Sequence, residues 1–451
     1  MNTQKLRQKI LNLAIRGKLV PQMEGDEPAS VLLSKIKAEK ARLVKEGKIR
    51  KSKALPHIAE GEKAFDLPSG WEWVRFEEFS NIIGVGLVRS NEQQKERSGY
   101  SYFKMNNIEN SNGNFNLYNM PNVKANADEV ERFSLEDNDF LFNTRNSYEL
   151  VGKTTVVSGV SGKSIIYNNN ILKVKFFGNI IPKYINYYFI SSAGQAILRN
   201  FVSSTTNVAA IYQKQLITIA CPLPPIAEQK RIVQIVELLF AQMDEIEKNK
   251  QDLQALIKKA KSKILGLAIH GKLVPQDPND EPIDVPEFDG EQPFEVQQNW
   301  RWIEYQKAVD TISIRDYQIK QSEIYAKGLY PVVSQSQNLI EGYSDNEKRI
   351  VKIESPYLVF GDHTKVVKYV DFDFIVGADG VKIIKPLKCD TKYLYYFTIQ
   401  AVNNFDRGYS RHWQFLKMEP MPLPPLAEQQ RIVVAIETLF AKLDRIEVEL
   451  E

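Results

Sequence analysis

The groups in this sequence best suited to chemistry are four histidines, two cysteines and one glycine-rich run, and none has partners at the spacing a reaction needs. The run SGVSGKS at 158–164 approaches a phosphate-binding loop, whose backbone amides and lysine cradle phosphate oxygens. Val157 stands where that pattern requires glycine, and the run links two strand-like segments instead of opening a helix. Adenine methylation typically uses Asp or Asn followed by Pro-Pro and an aromatic residue; the Pro-Pro pairs here sit as Leu-Pro-Pro-Ile and Leu-Pro-Pro-Leu. Asp373 or Asp379 with Asp390 and Lys392 is the nearest approach to a nuclease-like acidic set. His57, His270, His363 and His412 show no metal-ligand spacing, and Cys221 and Cys389 are too few for a disulfide framework or a four-cysteine zinc site. The expectation is a chain with no catalytic residues, metal or cofactor of its own.

The frame that positions the remaining polar groups is more informative. At 451 residues, two or three cores are expected, and 43% hydrophobic with 25% charged residues is the balance of a soluble globular protein. A net charge of +3 means that any nucleic-acid contact must come from local patches. No apolar run approaches the ~20 residues of a membrane span, and the start MNTQKLRQKILNLAIRGK has no signal-peptide core, which predicts a cytoplasmic protein without membrane contact.

The chain repeats itself. PLPPIAEQKRIVQIVELLFAQMDEIE at 222–247 and PLPPLAEQQRIVVAIETLFAKLDRIE at 422–447 share 17 of 26 positions at an offset of 200. KILNLAIRGKLVPQMEGDEPA at 9–29 and KILGLAIHGKLVPQDPNDEPI at 263–283 share 15 of 21 at an offset of 254, and GWEWVRFEE at 70–78 faintly echoes NWRWIEYQK at 299–307. In mid-chain the two repeated pieces follow one another; in the other copy one lies at each end. These offsets align Glu451 with Gln251 and Met1 with Ala255, a circular duplication opened inside one repeat.

Ile232, Val236, Leu239, Met243, Ile246, Lys250, Leu253, Ile257, Ala260, Ile264 and Leu267 alternate in steps of four and three, which predicts one long helix with its seam in a core. Ile432, Ile436, Leu439, Leu443, Ile446 and Leu450 continue that pattern in the second copy, and Leu6, Ile10 and Leu13 take it up at the N-terminus. Between the repeats lie two dissimilar segments of short β-branched runs, each with one aromatic helix-like stretch (IPKYINYYFISSAGQAILRNF and TKYLYYFTIQAV). The predicted class is α+β: two globular mixed modules separated by a pair of long antiparallel coiled-coil helices in a pseudo-twofold circular repeat. The divisions fall at 1–67 (conserved helical repeat and a basic arm), 68–221 (first module), 222–297 (central helix and linker), 298–421 (second module) and 422–451 (last helix).

The elements PLPP-x-AEQ-x-RIV…LFA…D-x-IE and KIL-x-LAI-x-GKLVPQ followed by DEP resemble those of the specificity subunits of type I restriction–modification systems. Within the modules, DFLFNTRNSYELVGKTTVV (139–157), LYPVVSQSQNLIEGYSD (329–345) and YLVFGDHTKVVKYVDFDFIVGADGVKI resemble that family's target-recognition domains. The last helix stops at Glu451, shorter than in some members, and residues 1–16 are expected to complete it. The resemblance implies a subunit that catalyses nothing and reads a split, asymmetric site in double-stranded DNA, one half per module. It also implies two modification (methyltransferase) subunits as partners, which restriction subunits can join. S-adenosylmethionine, ATP and magnesium would be bound by those partners only. A protein-binding scaffold and a self-sufficient methyltransferase or nuclease are the alternatives.

On that resemblance the candidate DNA-binding residues of the first module are Lys104, Asn106, Asn143, Arg145, Asn146, Ser147 and Tyr148, with Ser204, Thr205, Thr206 and Asn207 placed to grip phosphates. Those of the second are Ser334, Gln335, Ser336, Gln337, Asp362, His363, Thr364 and Lys365, joined by Arg407, Tyr409, Ser410, Arg411 and His412. Each taken singly reads more readily as a turn or surface residue than as a DNA contact. The basic stretch Lys35–Lys53 is either a solvated helix face or a phosphate-contacting arm. Trp71, Trp73, Trp300 and Trp302 are expected to pack, and Glu228, Gln229, Arg231 and their copies Glu428, Gln429 and Arg431 either to dock a partner or to make local caps and ion pairs.

Overall fold

A computed structural model describes residues 2–51, 54–109, 112–204, 208–377, 380–405 and 410–450, and the chain divides into two units, Met1–Lys248 and Asn249–Glu451. In the first, α1 (Thr3–Ile15) and α2 (Ala29–Lys45) precede β1 (Glu72–Arg75), α3 (Phe76–Phe79), β2 (Ser80–Val85), β3 (Tyr100–Phe103), β4 (Asn122–Val123), α4 (Ala127–Phe133) and β5 (Phe140–Asn143). There follow β6 (Arg145–Asn146), β7 (Thr154–Val156), β8 (Ile165–Tyr167), β9 (Ile171–Phe176), α5 (Pro182–Ile190), α6 (Ser192–Asn200), β10 (Ser203–Ser204), β11 (Ala209–Ala210), α7 (Gln213–Leu216), β12 (Ala220–Leu223) and the long helix α8 (Ile226–Ile269).

Strand β5 reads Phe-Leu-Phe without polar alternation because its antiparallel sheet, ordered β2-β9-β5-β7, is covered on both faces. Phe140 and Phe142 join one core with Phe76, Phe79 and Phe189, while Leu141 joins another with Phe103 and Tyr167. A second sheet, β4-β3-β8, pairs β3 parallel to β8. The first and last strands of the module, β1 and β12, pair antiparallel from Glu72–Leu223 to Arg75–Ala220, so the chain enters and leaves at one place. Pro224 and Pro225 then end the ladder and α8 begins.

The second unit follows the same plan with a different sequence. Its elements are β13 (Arg301–Glu304), α9 (Tyr305–Ala308), β14 (Val309–Ile312), β15 (Tyr330–Val333), β16 (Gly342–Ser344), β17 (Ile350–Val351), β18 (Tyr357–Gly361), β19 (Val367–Val370), β20 (Phe374–Val376), β21 (Val381–Pro386), α10 (Thr391–Asn403), α11 (Trp413–Leu416), β22 (Pro420–Leu423) and α12 (Leu426–Glu449). The sheets are β14-β21-β18-β19, β16-β15-β20-β17 and the closing pair β13-β22. Strand β18 repeats the logic of β5: Leu358 and Phe360 face one core, Tyr357 and Val359 another.

Each unit contains an antiparallel helix pair. Arg7 of α1 pairs with Asp244 of α8 at 2.7 Å and lies 4.9 Å from the Phe240 ring, while Thr3 reaches Glu247. In the second unit Lys261 of α8 pairs with Asp444 at 2.5 Å and Glu447 at 3.1 Å and lies 6.0 Å from the Phe440 ring. The sequence offsets map Arg7 to Lys261 and Asp244 to Asp444, so the circular duplication is realised as the same contact twice.

Two expectations are corrected. The seam is buried at Ile232, Val236, Met243 and Ile257, but Ile246 is 44% and Leu253 36% exposed, so the middle of α8 is not core within either unit. The aromatic stretch 181–201 is two helices: Ser191 Oγ accepts the Gly194 amide at 3.1 Å and starts α6. Gly194 fits there because a Cβ would lie 2.0 Å from the Tyr188 carbonyl oxygen. The first part of the basic stretch Lys35–Lys53 lies on α2, where Leu32 and Ile36 are buried against Gly178, whose φ of +65° and lack of a Cβ admit Ile36. Three cations of this segment pair locally, Lys35 with Glu27 at 2.6 Å and Arg42 and Lys48 with Glu46 at 2.7 and 3.0 Å. Among the described residues, no helix is long and apolar enough to cross a membrane.

Phe76 is fully buried, with ring centroids 5.5 Å from Phe79 and 5.6 Å from Phe189. Phe76→Ala is expected to cost about 3–5 kcal/mol, read by denaturant unfolding of the full chain. A loss under about 1 kcal/mol would mean that this cluster does not hold the first module together.

Candidate nucleic-acid interface

In the first module the polar candidates converge because one buried amide ties three segments together. Asn143, at the end of β5, is 0% exposed. Its Nδ2 donates to the carbonyls of Arg145 (3.0 Å) and Asn170 (3.1 Å), and its Oδ1 accepts from Asn146 Nδ2 at 3.0 Å. Asn170 O also accepts the Thr144 amide at 2.8 Å and the Thr144 hydroxyl at 3.0 Å. The loop after β3 joins this knot through Met105, whose carbonyl accepts from Lys153 Nζ at 2.7 Å and whose sulfur meets Asn170 Nδ2 at 3.5 Å. Burial pushes the Lys153 ammonium below its usual range, yet two carbonyls, those of Met105 and Ile108, hold it.

Beside this knot a small antiparallel sheet, β10-β11-β6, sets Arg145 opposite Ala210 and Asn146 opposite Ala209, with Ser204 on the far side of Ala209. Arg145, Tyr148 and Ser204 are exposed. Ser147 is half-buried and its amide bonds Asn146 Oδ1 at 2.9 Å. Lys104 reaches Gln94 Oε1 at 2.6 Å, and Asn106 beside it is exposed. Thr205, Thr206 and Asn207 lie outside the described residues. Sequence reasoning missed Lys153, Asn168, Asn170 and Arg199. Arg199 donates to the carbonyls of Tyr148 and Glu149 and lies 5.5 Å from the Tyr148 ring. The tract Asn168–Asn170 between two apolar strands was the available signal; a single arginine on α6 offered none.

The second module brings three separate segments together by different bonds. Ser334 is buried at the end of β15 and its Oγ accepts the Ser336 amide at 3.1 Å. Thr364 Oγ1 donates to the Gln335 carbonyl at 2.9 Å, linking the 334–337 loop to the turn between β18 and β19. In that turn Asp362 is buried; its carbonyl accepts the His412 amide at 2.9 Å and its Oδ1 the Trp413 amide at 2.6 Å. Lys365 takes the left-handed conformation, φ +59°, which a lysine rarely adopts; its amide bonds Gly361 O at 2.9 Å and its Nζ bonds Phe405 O at 2.6 Å. His363 packs against Gly380, where a Cβ would come within 2.9 Å of its ring. Gln337, Thr364 and Arg411 are exposed, Gln335, Ser336, His363, Lys365 and Ser410 half-buried, and Arg407 and Tyr409 lie outside the described residues.

His412 is 1% exposed, its ring stacked with Phe405 at 12° and its Nδ1 3.5 Å from Ser410 Oγ. Asn143, Ser334, Asp362 and His412 therefore spend their polar atoms inside their own loops, which leaves the neighbouring exposed side chains to face outward. The chemically suggestive residues that were set aside are accounted for as structure. Asp390 Oδ1 caps α10, Lys392 pairs with Glu437 at 2.5 Å, and Asp373 accepts the Ile353 amide; Asp379 lies outside the described residues. In the 158–164 run Val160 is buried and its amide bonds Asp137. Among the described residues no cluster of His, Cys, Asp or Glu could hold a metal ion. Glu228, Gln229, Glu428 and Gln429 are buried within their own units, so the local-bonding reading of those positions holds.

Two mixed modules of one plan but different surface chemistry, each closed onto the start of a repeated helix, define a duplicated-module protein. Residues 68–255 and 310–451 match the family described as type I restriction modification DNA specificity domain. The specificity subunit of the type I restriction enzyme EcoAI of Escherichia coli is 26% identical, over 98% of this chain and 90% of that protein. That of EcoEI, also of Escherichia coli, is 28% identical over 66% of this chain and 60% of that protein. A chain in a solved structure concerned with complex assembly and conformational transition of the type I R-M system shares the fold with TM-score 0.57 and 17% identity, over 86% of this chain and 94% of that one. The chain belongs to the type I restriction–modification specificity subunits.

Burial holds the His412 imidazole below its usual range, with Lys365 and His363 adding to the shift and Asp362 opposing it. The folded protein therefore favours the neutral ring. The stability this supplies is complete above the unfolded value of about 6.5 and is lost as pH falls through the lower folded value. Between about pH 7 and pH 5 the melting temperature of the wild-type chain is expected to fall more steeply than that of His412→Gln. Parallel profiles would show that His412 does not report on this loop cluster.

Proposed function

We propose that this specificity subunit reads a bipartite, asymmetric site in double-stranded DNA, one half with each loop cluster, and catalyses no step itself. The observation that supports this best is that two modules of one architecture present different polar groups. The first offers Arg145, Asn146, Tyr148 and Ser204, and the second Gln335, Gln337, Thr364 and Arg411. Guanidinium groups suit guanine O6 and N7, and carboxamides suit adenine N6 and N7, in the major groove; hydroxyls and backbone amides suit phosphates. The buried set (Asn143, Ser334, Asp362, His412) holds these groups in register, and the helices fix the unread gap. Two modification subunits carry S-adenosylmethionine to the bound site, and restriction subunits with ATP and magnesium can join them. The proposed location is the cytoplasm, with the DNA.

The test is to co-express the full chain with its modification subunit in a host lacking adenine methylation and to map N6-methyladenine by single-molecule sequencing. A two-part asymmetric motif with a fixed gap is expected. A folded complex that leaves no motif would favour a protein-binding scaffold, and label transfer from S-adenosylmethionine by the chain alone would identify a self-sufficient methyltransferase.

Arg145→Ala is expected to weaken DNA binding by about 1–3 kcal/mol and relax one half of the motif only. Relaxation of both halves would contradict modular reading. Lys48 pairs with Glu46 at 3.0 Å, and Lys53 lies outside the described residues. Neutralising Lys48, Arg50, Lys51 and Lys53 together is expected to leave the salt dependence of DNA binding unchanged; a shallower slope in log–log salt titration would support the phosphate-arm reading.

A further inference from the structure

The most closely duplicated feature of the molecule is a buried carboxylate junction at the start of each long helix. In the first unit Glu228, in the first turn of α8, accepts Trp71 Nε1–H on Oε2 at 2.9 Å and Gln22 Nε2–H on Oε1 at 2.9 Å. Trp71 opens the module at the edge of β1, and Gln22 belongs to the GKLVPQ loop after α1. The next residue, Gln229, donates to the Pro224 carbonyl at 2.9 Å and accepts the Ile181 amide, just before α5, at 3.0 Å. Arg231 closes the set on Asp26 at 2.5 Å.

The second unit repeats every bond. Glu428 accepts Trp300 Nε1–H at 2.9 Å and Gln276 Nε2–H at 2.6 Å. Gln429 donates to Pro424 O at 2.8 Å and accepts the Asp390 amide at 2.7 Å, and Arg431 closes on Asp280 at 2.5 Å. Both glutamates are 1% exposed and both glutamines 0%. A carboxylate removed from water is tolerated only where its oxygens are bonded, so the tryptophan and glutamine donors must stay in place together. Module, loop and helix are thus tied to one another across the proline linkage.

We propose that Glu228 and Glu428, with Trp71 and Trp300, are positioning residues that fix the angle between each module and its helix, and thereby determine how strictly the gap between the two half-sites is measured. This rests on the proposed reading of a bipartite DNA site. Leverage makes the angle decisive. Within the first unit α8 runs from Ile226 to Lys248, about 34 Å at ~1.5 Å per residue. A pivot of roughly 7° at its start moves that end by about 4 Å, more than the ~3.4 Å rise of one base pair.

The test uses the full chain co-expressed with its modification subunit, comparing wild type with Glu228→Gln, Trp71→Phe and the double variant Trp71→Phe/Trp300→Phe. The phenylalanine variants keep an aromatic ring and remove only the donor, so they remain informative where Glu228→Gln fails to fold. The expected methylome keeps both half-site sequences and adds motifs whose gap is one base longer or shorter, at about a tenfold higher frequency than in wild type. A merely structural role would lower total methylation and leave the gap distribution unchanged, which would overturn the proposal. Spin labels on exposed positions of the two modules provide a readout independent of DNA. Broader inter-label distances in the variants support the junction even if wild type yields no bipartite motif, in which case the DNA-reading proposal alone fails. An unchanged width in folded variants would overturn the junction proposal.

Discussion

The structure depends on the pairing of each module's first strand with its last. Because β1 is bonded to β12 and β13 to β22 along four residues each, modules of about 150 and about 120 residues each present both ends at one point, the proline linkage into the next helix. Proline suits that point twice over. Pro222 and Pro422 occupy two-stranded ladders in which a missing donor is tolerated, and the following Pro-Pro pairs cannot continue a strand but can precede a helix. The tyrosines of the next layer then bond to these strands: Tyr184 Oη donates to Pro222 O at 2.9 Å and Tyr393 Oη to Pro422 O at 2.7 Å. A module anchored in this way can change almost everywhere else without disturbing the frame.

That freedom explains why the two modules share sheets but little sequence. A sheet covered on both faces asks only for a run of apolar residues at its centre, and Phe-Leu-Phe in β5 serves as well as Tyr-Leu-Val-Phe in β18. The frame has no such latitude. Its buried carboxylates and amides need particular donors at particular distances, so Glu, Gln and Arg recur at the offsets of the two repeats and Trp71 is matched by Trp300. The contrast in identity between repeats and modules is the contrast between hydrogen-bonded and merely apolar constraints.

The frame was legible in the sequence for that reason. The repeats carry the circular order and the helix starts. The α+β class and the packing role of Trp71, Trp300 and Trp302 could also be read. What could not be read depends on contacts between residues distant in sequence. Asn143 looks like a surface reader beside Arg145, and only the approach of Asn170 buries it. Asp362 and His412, fifty residues apart, are joined by backbone bonds that no local pattern encodes. The seam of α8 continues in steps of four and three through Ile246 and Leu253, but periodicity reports only which face is apolar, not whether anything covers it.

The two loop clusters also differ in what holds them, and this bears on how each can change. The first is tied by carboxamides: Asn143 and Asn146 bond each other, and Asn170 accepts through its carbonyl, none of them titratable at ordinary pH. The second rests on a carboxylate, a buried imidazole and a lysine held in the left-handed region, all of which carry or can acquire charge. This carboxamide knot can exchange its exposed neighbours one at a time, because the desolvated Lys153 ammonium beside it is held by the backbone carbonyls of Met105 and Ile108 and not by those side chains. In the second cluster, Lys365 and His363 both act on the His412 ring, so replacing either changes the electrostatics of a buried group as well as the outward face. Substitutions in the second module should therefore couple to one another where those in the first add, and the two halves of one protein would diverge at different rates under the same selection.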